Sequence, residues 1–297
     1  MSGLYIIITD FNGYSQTRRC LEALRASRCR CFTALVVDHG TTNETRVRLA
    51  AEFPEAIRIT GSSDLWWTGA TNRGIRYALD QKADRIMLVN NDCYVTPEAI
   101  GILLRQSLEH PEAIIAPVQR DWHSGKVSCL SPRTGFLIGF STLTGTRKLT
   151  SDVMAKILLP VKIIIGGRGV IIPSLVFSAV GFFDEEQLIH YGSDHDFYLR
   201  ARSRNVPLYI ATNAFVHIDN SSTTLANNLG ALNLSEFLRT LYSIRSHRNL
   251  RDVATLFRKH YPIPHLYMVG VALYTMRYFL VYLMKRGMFL IQGCFKS

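Results

Sequence analysis

RIMLVNND, residues 85–92, is five residues of mostly apolar character, Arg85–Val89, that run into the polar group Asn90-Asn91-Asp92. A run this short suits a buried strand better than a helix, which needs about 10–12 residues. Upstream, Gly69–Gln81 puts Ile75, Ala78 and Leu79 on one side of a helix. Downstream, Pro97–Leu108 carries its proline in the first turn, where the missing N–H costs nothing. A buried strand between two helices is the centre of a βαβ unit. Working outward, Leu4–Thr9, Thr33–Val37 and Ala56–Thr60 read as further strands, and Tyr14–Ser27 as a helix burying Cys20, Leu21 and Leu24. Alternation of this kind predicts an α/β fold with a mostly parallel sheet flanked by helices.

From Ala113 to Lys162 the rhythm breaks, and irregular strands and loops are expected there. Beyond it come Ile163–Ile165, a GGRG turn at 166–169, and a helix after Pro173. Ser193–Arg204, Ser235–Arg248 and Leu250–His260 read as helices.

The chain has 297 residues, 47% apolar and 19% charged, which excludes a disordered polypeptide. Its net charge of +11 is uneven: residues 239–297 hold ten Lys/Arg and one acid, so this stretch carries +9. The division expected is therefore a near-neutral domain at 1–238, split near 112 into a ligand-binding half and a second half, and a basic extension at 239–297. Leu266–Met284 is apolar except for Arg277, and Lys285 and Arg286 follow. A cation at the centre of a spanning helix is costly, so a membrane-docking helix is expected ahead of a span, with a subunit interface (a homo-oligomer) as the competing reading. Nucleic acid is a poor partner for a tail whose cations alternate with long aliphatic runs. The six cysteines form no CxxC pair, and MSGLYIIITDF has no basic leader, which points to a reducing, cytoplasmic setting.

Ligands of parallel α/β sheets bind beyond the carboxyl ends of the strands. Those ends here are Thr9-Asp10-Phe11-Asn12, Asp38 to Asn43, Ser63 to Trp67, and Asn90-Asn91-Asp92. Any one could be capping or turn chemistry; four in succession predict a shared pocket. Neither GxxxxGK[ST] nor GxGxxG follows the first strand. A nucleotide diphosphate would then need another counter-charge, such as a divalent cation on Asp92.

Taken in order, these segments resemble family 2 glycosyltransferases of the GT-A fold. IIITDFNG at 6–13, VVDHGTTN at 36–43, LWWTGATNRGI at 65–75, LVNNDCYV at 88–95, GGRGVIIPSLVFSAVGFFDE at 166–185, HYGSDHDFYLRAR at 190–202 and FVHIDNSST at 215–223 match that family's succession of motifs. The likeness is strongest to bacterial rhamnosyltransferase-type enzymes of polysaccharide and O-antigen assembly. It implies a Rossmann-like sheet and inverting transfer of a sugar from a nucleotide-diphosphate donor to a glycan hydroxyl. It also implies that Asp194 is the catalytic base, with Asp196 the lesser candidate for that role. Thr9, Phe11, Asp38, Trp67, Asn72, Asn91 and Asp92 would contact the donor, with Arg73 beside them. His190 and Tyr191 would face the acceptor, together with Asp196. Asp92 and His217 would hold Mg2+ or Mn2+. Two departures stand out: the DxD motif is reduced to Asn90-Asn91-Asp92, and Ser193 replaces the usual acid before Asp194. A polyprenyl-diphosphate-linked acceptor at an anionic membrane surface would explain the basic, apolar tail. A degenerate nucleotide-sugar-binding or scaffold protein is the alternative, and a pyrophosphorylase is excluded by the absence of a glycine-rich basic loop after the first strand.

Overall fold

In the computed structural model, which describes residues 3–130, 132–143, 149–219 and 229–294, the apolar runs of the N-terminal half become strands β1 (Leu4–Asp10), β2 (Thr33–Asp38), β3 (Ile57–Thr60) and β4 (Arg85–Asn90). Between them lie helices α1 (Tyr14–Arg25), α2 (Glu44–Glu52) and α3 (Trp66–Asp80). After β4 come β5 (Cys93–Val95), α4 (Ala99–Glu109), β6 (Ile114–Asp121) and β7 (Val127–Cys129). The strand order β3-β2-β1-β4 is parallel throughout. Covered on both faces, β1 shows why its sequence is continuously apolar. Ile7 packs with Ile75 and Ala78 of α3 on one side, and Ile6 and Ile8 with Leu21 and Leu24 of α1 on the other. Helix α3 lies so close to the sheet that a Cβ on Gly74 would come within 2.6 Å of Ile7.

Two short strands, β8 (Arg133–Gly135) and β9 (Phe140–Leu143), form a ribbon, and α5 (Ser151–Met154) leads to β10 (Leu158–Pro160). Strand β11 (Arg168–Pro173) then enters the main sheet antiparallel between β4 and β6. Helices α6 (Ser174–Val180) and α7 (Ser193–Ser203) precede β12 (Leu208–Ile218), which runs parallel to β6 and pairs antiparallel with β5 and β10. The result is the expected mixed α/β fold, with a parallel core extended by antiparallel strands.

Three sequence expectations change. The stretch after Ala113 opens with β6, an eight-residue strand whose first six residues are buried; Pro117 and the polar end Gln119-Arg120-Asp121 hid its periodicity. Ser235–Arg248 is helical only as α8 (Leu234–Thr240). Trp66 and Trp67, expected in the loop before a helix at Gly69, instead open α3, about a quarter-turn apart.

The chain divides into two compact units, and the boundary does not follow the charge. The first contains the main sheet. The second takes 134–143 and 190–192 together with the C-terminal helices. Those helices are α8, α9 (Leu250–His260) and α10 (Tyr267–Cys294). Asn233 caps α8 in a reciprocal pair with Glu236, and the Asn249 side chain caps α9. Gly270 is the contact point of α10 on α9, since a Cβ there would meet the rings of Tyr261 and Phe257. The apolar tail is therefore part of a core: Tyr274 and Tyr282 are 2% and 3% exposed. The opposite side of α10 is bare and apolar, with Met268, Met276, Leu280 and Leu283 exposed. By length and composition Pro264–Ile291 could cross a membrane.

Candidate active site

The register of the sheet sets Thr9 beside Asn90 and Asp10 beside Asp38, so the carboxyl ends of β1, β2 and β4 form one rim. The Asn90 N–H donates to the Gly167 carbonyl at 2.8 Å, which joins the GGRG segment to that rim.

At the first part of the rim, Asp10 is fully buried and accepts hydrogen bonds from the Thr17 and Thr45 hydroxyls. Asn12 adopts φ 54°, a conformation asparagine tolerates better than most residues. Its side-chain oxygen accepts from the Thr41 and Thr42 N–H groups at 2.9 and 3.1 Å and braces the loop after β2. Thr9 is half-buried in β1. Phe11 is 43% exposed and its ring lies 5.3 Å from the imidazole of His39, so the two rings make an aromatic wall at this end. Burial holds the His39 ring below its ordinary pKa despite the Asp10 and Asp38 charges. Asp38 is half engaged: the Arg58 guanidinium sits 2.8 Å from its Oδ2, and its Oδ1 accepts a longer bond from the Gly40 N–H at 3.3 Å.

Trp67 donates from its indole nitrogen to Asn90 at 3.0 Å and meets Phe183 edge-on. Asn72 departs from its expected donor contact. It is 0% exposed, and its amide both donates to the Phe183 carbonyl and accepts from the Phe183 N–H, at 2.8 and 3.1 Å. The side chain ties α3 to the segment after α6. Arg73 lies on the same helix, exposed. The Asn91 amide reaches Thr17 at 3.2 Å and Asp10 at 3.4 Å, so it braces the Asp10 cluster.

Asp92 has a buried oxygen, Oδ1, with no hydrogen-bond partner. Burial pushes its carboxyl up, the Arg168 charge pulls it down, and Asp219 pushes it up further. The Asp219 N–H donates to the Asp92 carbonyl at 2.9 Å, extending the β5–β12 ladder in which His217 stands opposite Tyr94. Alternation along the two strands puts Asp92, Tyr94, His217 and Asp219 on one face. Trp122 packs edge-on against Tyr94 and His217. Burial and the Arg120 charge lower the His217 pKa, leaving a neutral ring at pH 7 whose Nδ1 is buried without a partner. A neutral imidazole and an unpartnered carboxylate oxygen are both donors of the kind a divalent cation takes. Among the described residues no group of three or more His, Cys, Asp or Glu side chains gathers as a metal site. The protein could thus supply two ligands, with a bound diphosphate supplying others.

Asp194 lies in the first turn of α7, where the helix dipole favours a negative charge. Its Oδ2 accepts from the Gly166 N–H at 2.7 Å, and its Oδ1 lies 3.1 Å from His195 Nδ1. Burial alone would push this carboxyl up. The His195 charge and hydrogen bond and the Gly166 and His195 N–H groups outweigh it and hold the pKa at about 2. Tyr198 donates to the Gly166 carbonyl at 3.0 Å and clamps the glycine turn onto the same helix. Asp196, two residues on, is 0% exposed and paired with Arg200 at 2.8 Å, while Arg200 also donates to the Val180 and Phe182 carbonyls. Through Arg200, Asp196 helps tie α7 to α6. His190 and Tyr191 belong to the second unit, their rings 4.4 Å apart.

Three residues outside the sequence expectations enter the site. Arg168 brings a guanidinium to the start of β11, where it donates to Gln119 at 3.2 Å and acts on the Asp92 charge. Asp219 could have been found from its place two residues after His217 on a strand. His195 had no sequence signal beyond adjacency to Asp194.

Residues 5–172 match the family model described as glycosyl transferase family 2. The crystal structure of GalNAc-T7 with UDP, GalNAc and Mn2+ superposes with a TM-score of 0.59 at 10% identity, over 90% of this chain and 55% of that one. The chain thus spans about half the length of GalNAc-T7. The crystal structure of S. aureus TarS 1-349 superposes with a TM-score of 0.53 at 11% identity, over 92% of this chain and 89% of that one. At these identities the likeness is one of fold, and the fold is GT-A. No curated protein sequence matches the chain.

Proposed function

The chain belongs to glycosyl transferase family 2, and on that premise we propose that it moves a hexosyl group, rhamnose by the sequence resemblance, from a nucleotide-diphosphate donor to a glycan hydroxyl with inversion. The observation that carries the reading is Asp194: a carboxylate held ionised at the start of α7, fixed by the Gly166 N–H. A base poised in one geometry takes the acceptor proton as the hydroxyl attacks the anomeric carbon. A pKa of about 2 makes it a weak base at rest; its contribution is orientation and negative charge beside a hydroxyl that acidifies as the bond forms. Thr9, Phe11 and His39 would border the nucleobase. Asp38, already neutralised by Arg58, would meet the ribose with its remaining oxygen. Arg168 would place a fixed positive charge toward the departing diphosphate. Asp92 and His217 would hold Mg2+ or Mn2+, which when bound supplies further positive charge to that leaving group.

For the acceptor we favour a polyprenyl-diphosphate-linked glycan of cell-surface polysaccharide assembly. The enzyme would then sit at the cytoplasmic face of the membrane through the bare side of α10. Support comes from that exposed apolar face and the excess of cations around it. The second reading, a nucleotide-sugar binder without turnover, is favoured by the absence of a three-residue metal cluster among the described residues. Donor turnover, measured for UDP-, dTDP- and GDP-sugars with and without EDTA, separates the two. Sugar transfer that EDTA abolishes supports the enzyme, and donor binding with no hydrolysis or transfer in any metal supports the binder.

A further inference from the structure

Arg277 lies at the middle of the most apolar helix in the chain, and the second unit does not give it a carboxylate. Its guanidinium carbon stands 3.8 Å from the centre of the Phe140 ring, 4.5 Å from Tyr278 and 5.3 Å from Tyr274. Its Nε is buried and has no hydrogen-bond partner. Among the described residues no salt bridge reaches it, although the side chain keeps part of its surface exposed. A second guanidinium, that of Arg248, is 2% exposed and lies over the same Tyr278 ring at 5.4 Å. Next to Tyr278 comes His247, whose ring contacts Tyr191 at 6.3 Å. Burial and the Arg248 charge push the His247 pKa down to about 4. The ring is therefore neutral at pH 7 and adds no charge to the cluster.

The unit is short of acids. Its described residues contain nine Lys/Arg and only Glu236 and Asp252 as acids. Glu236 is bonded to the Asn233 N–H at the start of α8, and the charge acting on Asp252 is that of Arg251. Stacking on three rings holds a guanidinium plane rigid while its N–H edges stay available, and such an edge matches phosphate oxygens in pairs. The same helix turns Met276, Leu280 and Leu283 outward as an apolar strip. Tyr191, a member of the cluster, stands three residues before Asp194 in the chain.

We propose that Arg277, held by Tyr274, Tyr278 and Phe140, forms a binding site in the second unit for the phosphate or diphosphate of a lipid-linked acceptor. This rests on the transferase reading and adds to it the group by which the acceptor is held. The lipid is the favoured source of the phosphate because the apolar strip shares a helix with the cation. Isolated phosphate would need the arginine alone.

The test uses the full-length protein with its donor site saturated by a mixture of UDP, dTDP and GDP. Farnesyl diphosphate, inorganic pyrophosphate and farnesol are titrated calorimetrically. Farnesyl diphosphate is expected to bind at least tenfold more tightly than either other probe, and Arg277→Gln to weaken it at least tenfold without changing nucleotide affinity. Equal binding by wild type and Arg277→Gln overturns the proposal, as does loss of binding under saturating nucleotide. Pyrophosphate binding as tightly as the prenyl compound overturns the lipid assignment. If Arg277→Gln does not fold, wild-type protein is photolabelled with a diazirine-bearing prenyl diphosphate. Labels within 134–143 or 267–284 support the site, and labels confined to the first unit refute it. Sugar transfer to a soluble glycan without diphosphate binding removes this inference and keeps the transferase. Diphosphate binding with no transfer to any acceptor does the reverse.

Discussion

In the first unit Asp38, Asp194 and Asp196 meet partners from the chain itself (Arg58, a backbone N–H with a histidine, and Arg200), while Asp92 keeps one oxygen for a ligand. In the second unit the cations outnumber the acids, and Arg277 lies on aromatic rings. The first arrangement fixes charges in place before a reaction. The second leaves a positive potential for something outside the chain to meet. The difference separates positioning for chemistry from holding a partner, and mutations in the two units should separate in the same way.

The largest expected effect is on chemistry. Asp194→Asn should lower transfer by roughly 10²–10⁴-fold, the usual value of a general base. Nucleoside diphosphate affinity should change little, as read by thermal shift. A near wild-type rate would remove Asp194 from the mechanism and erase half of the contrast.

Next come two glycines, one in each unit. An alanine Cβ at Gly74 would crowd Ile7 and Val37, and one at Gly270 would crowd Tyr261 and Phe257. Overpacking costs about 1–3 kcal/mol in either case. Only Gly74→Ala should also weaken nucleotide binding, because only α3 leads into the rim. Equal weakening by Gly270→Ala would show that the units do not act separately.

Asp252 supplies a pH test within the second unit. Burial raises its carboxyl from 3.8 to about 6. The folded protein therefore keeps this proton where the unfolded chain has lost it, so its contribution to stability declines as pH climbs from about 4 to 6. Asp252→Asn should flatten that dependence and raise stability at pH 7.5 by about 2 kcal/mol, measured by urea unfolding at pH 5 and 7.5. No such decline for wild type would mean that the carboxylate finds a partner.

The smallest effect is expected at Asp92. Asp92→Ala should weaken Mn2+-supported nucleoside diphosphate binding by about tenfold, or ~1.4 kcal/mol. Binding without metal should be unaffected. Weakening of equal size without metal would assign Asp92 a structural place in the rim.

The parallel half of the fold was legible because β1, β2 and β4 are buried on both faces and their apolar runs are unbroken. So was the rim, since each run ends in polar residues. β6 was not, because a proline sits inside it and its buried end contains Gln119. The role of Asn72 was not legible either, since nothing local reveals that an amide will meet the Phe183 peptide 111 residues away. The Asp196 pair was within reach of the sequence, because Arg200 stands four residues on along the same helix. The C-terminal segment misled for a different reason. Its charge and apolarity described what it exposes, while Tyr274 and Tyr282, which build its core, look like any other aromatics in a tail.

The second unit also has a history built into its connectivity. Its pieces at 134–143 and 190–192 leave the ribosome well before the helices that complete it. The main sheet has all its strands once β12 ends at Ile218. At roughly 5–20 residues per second, the stretch from there to the end of α10 at Cys294 takes on the order of 4–15 s to synthesise. For that interval the nascent protein holds a finished sheet with two short segments waiting. The apolar face of α10 follows every strand of the main sheet in the chain, so it meets its surroundings only after that sheet has been made.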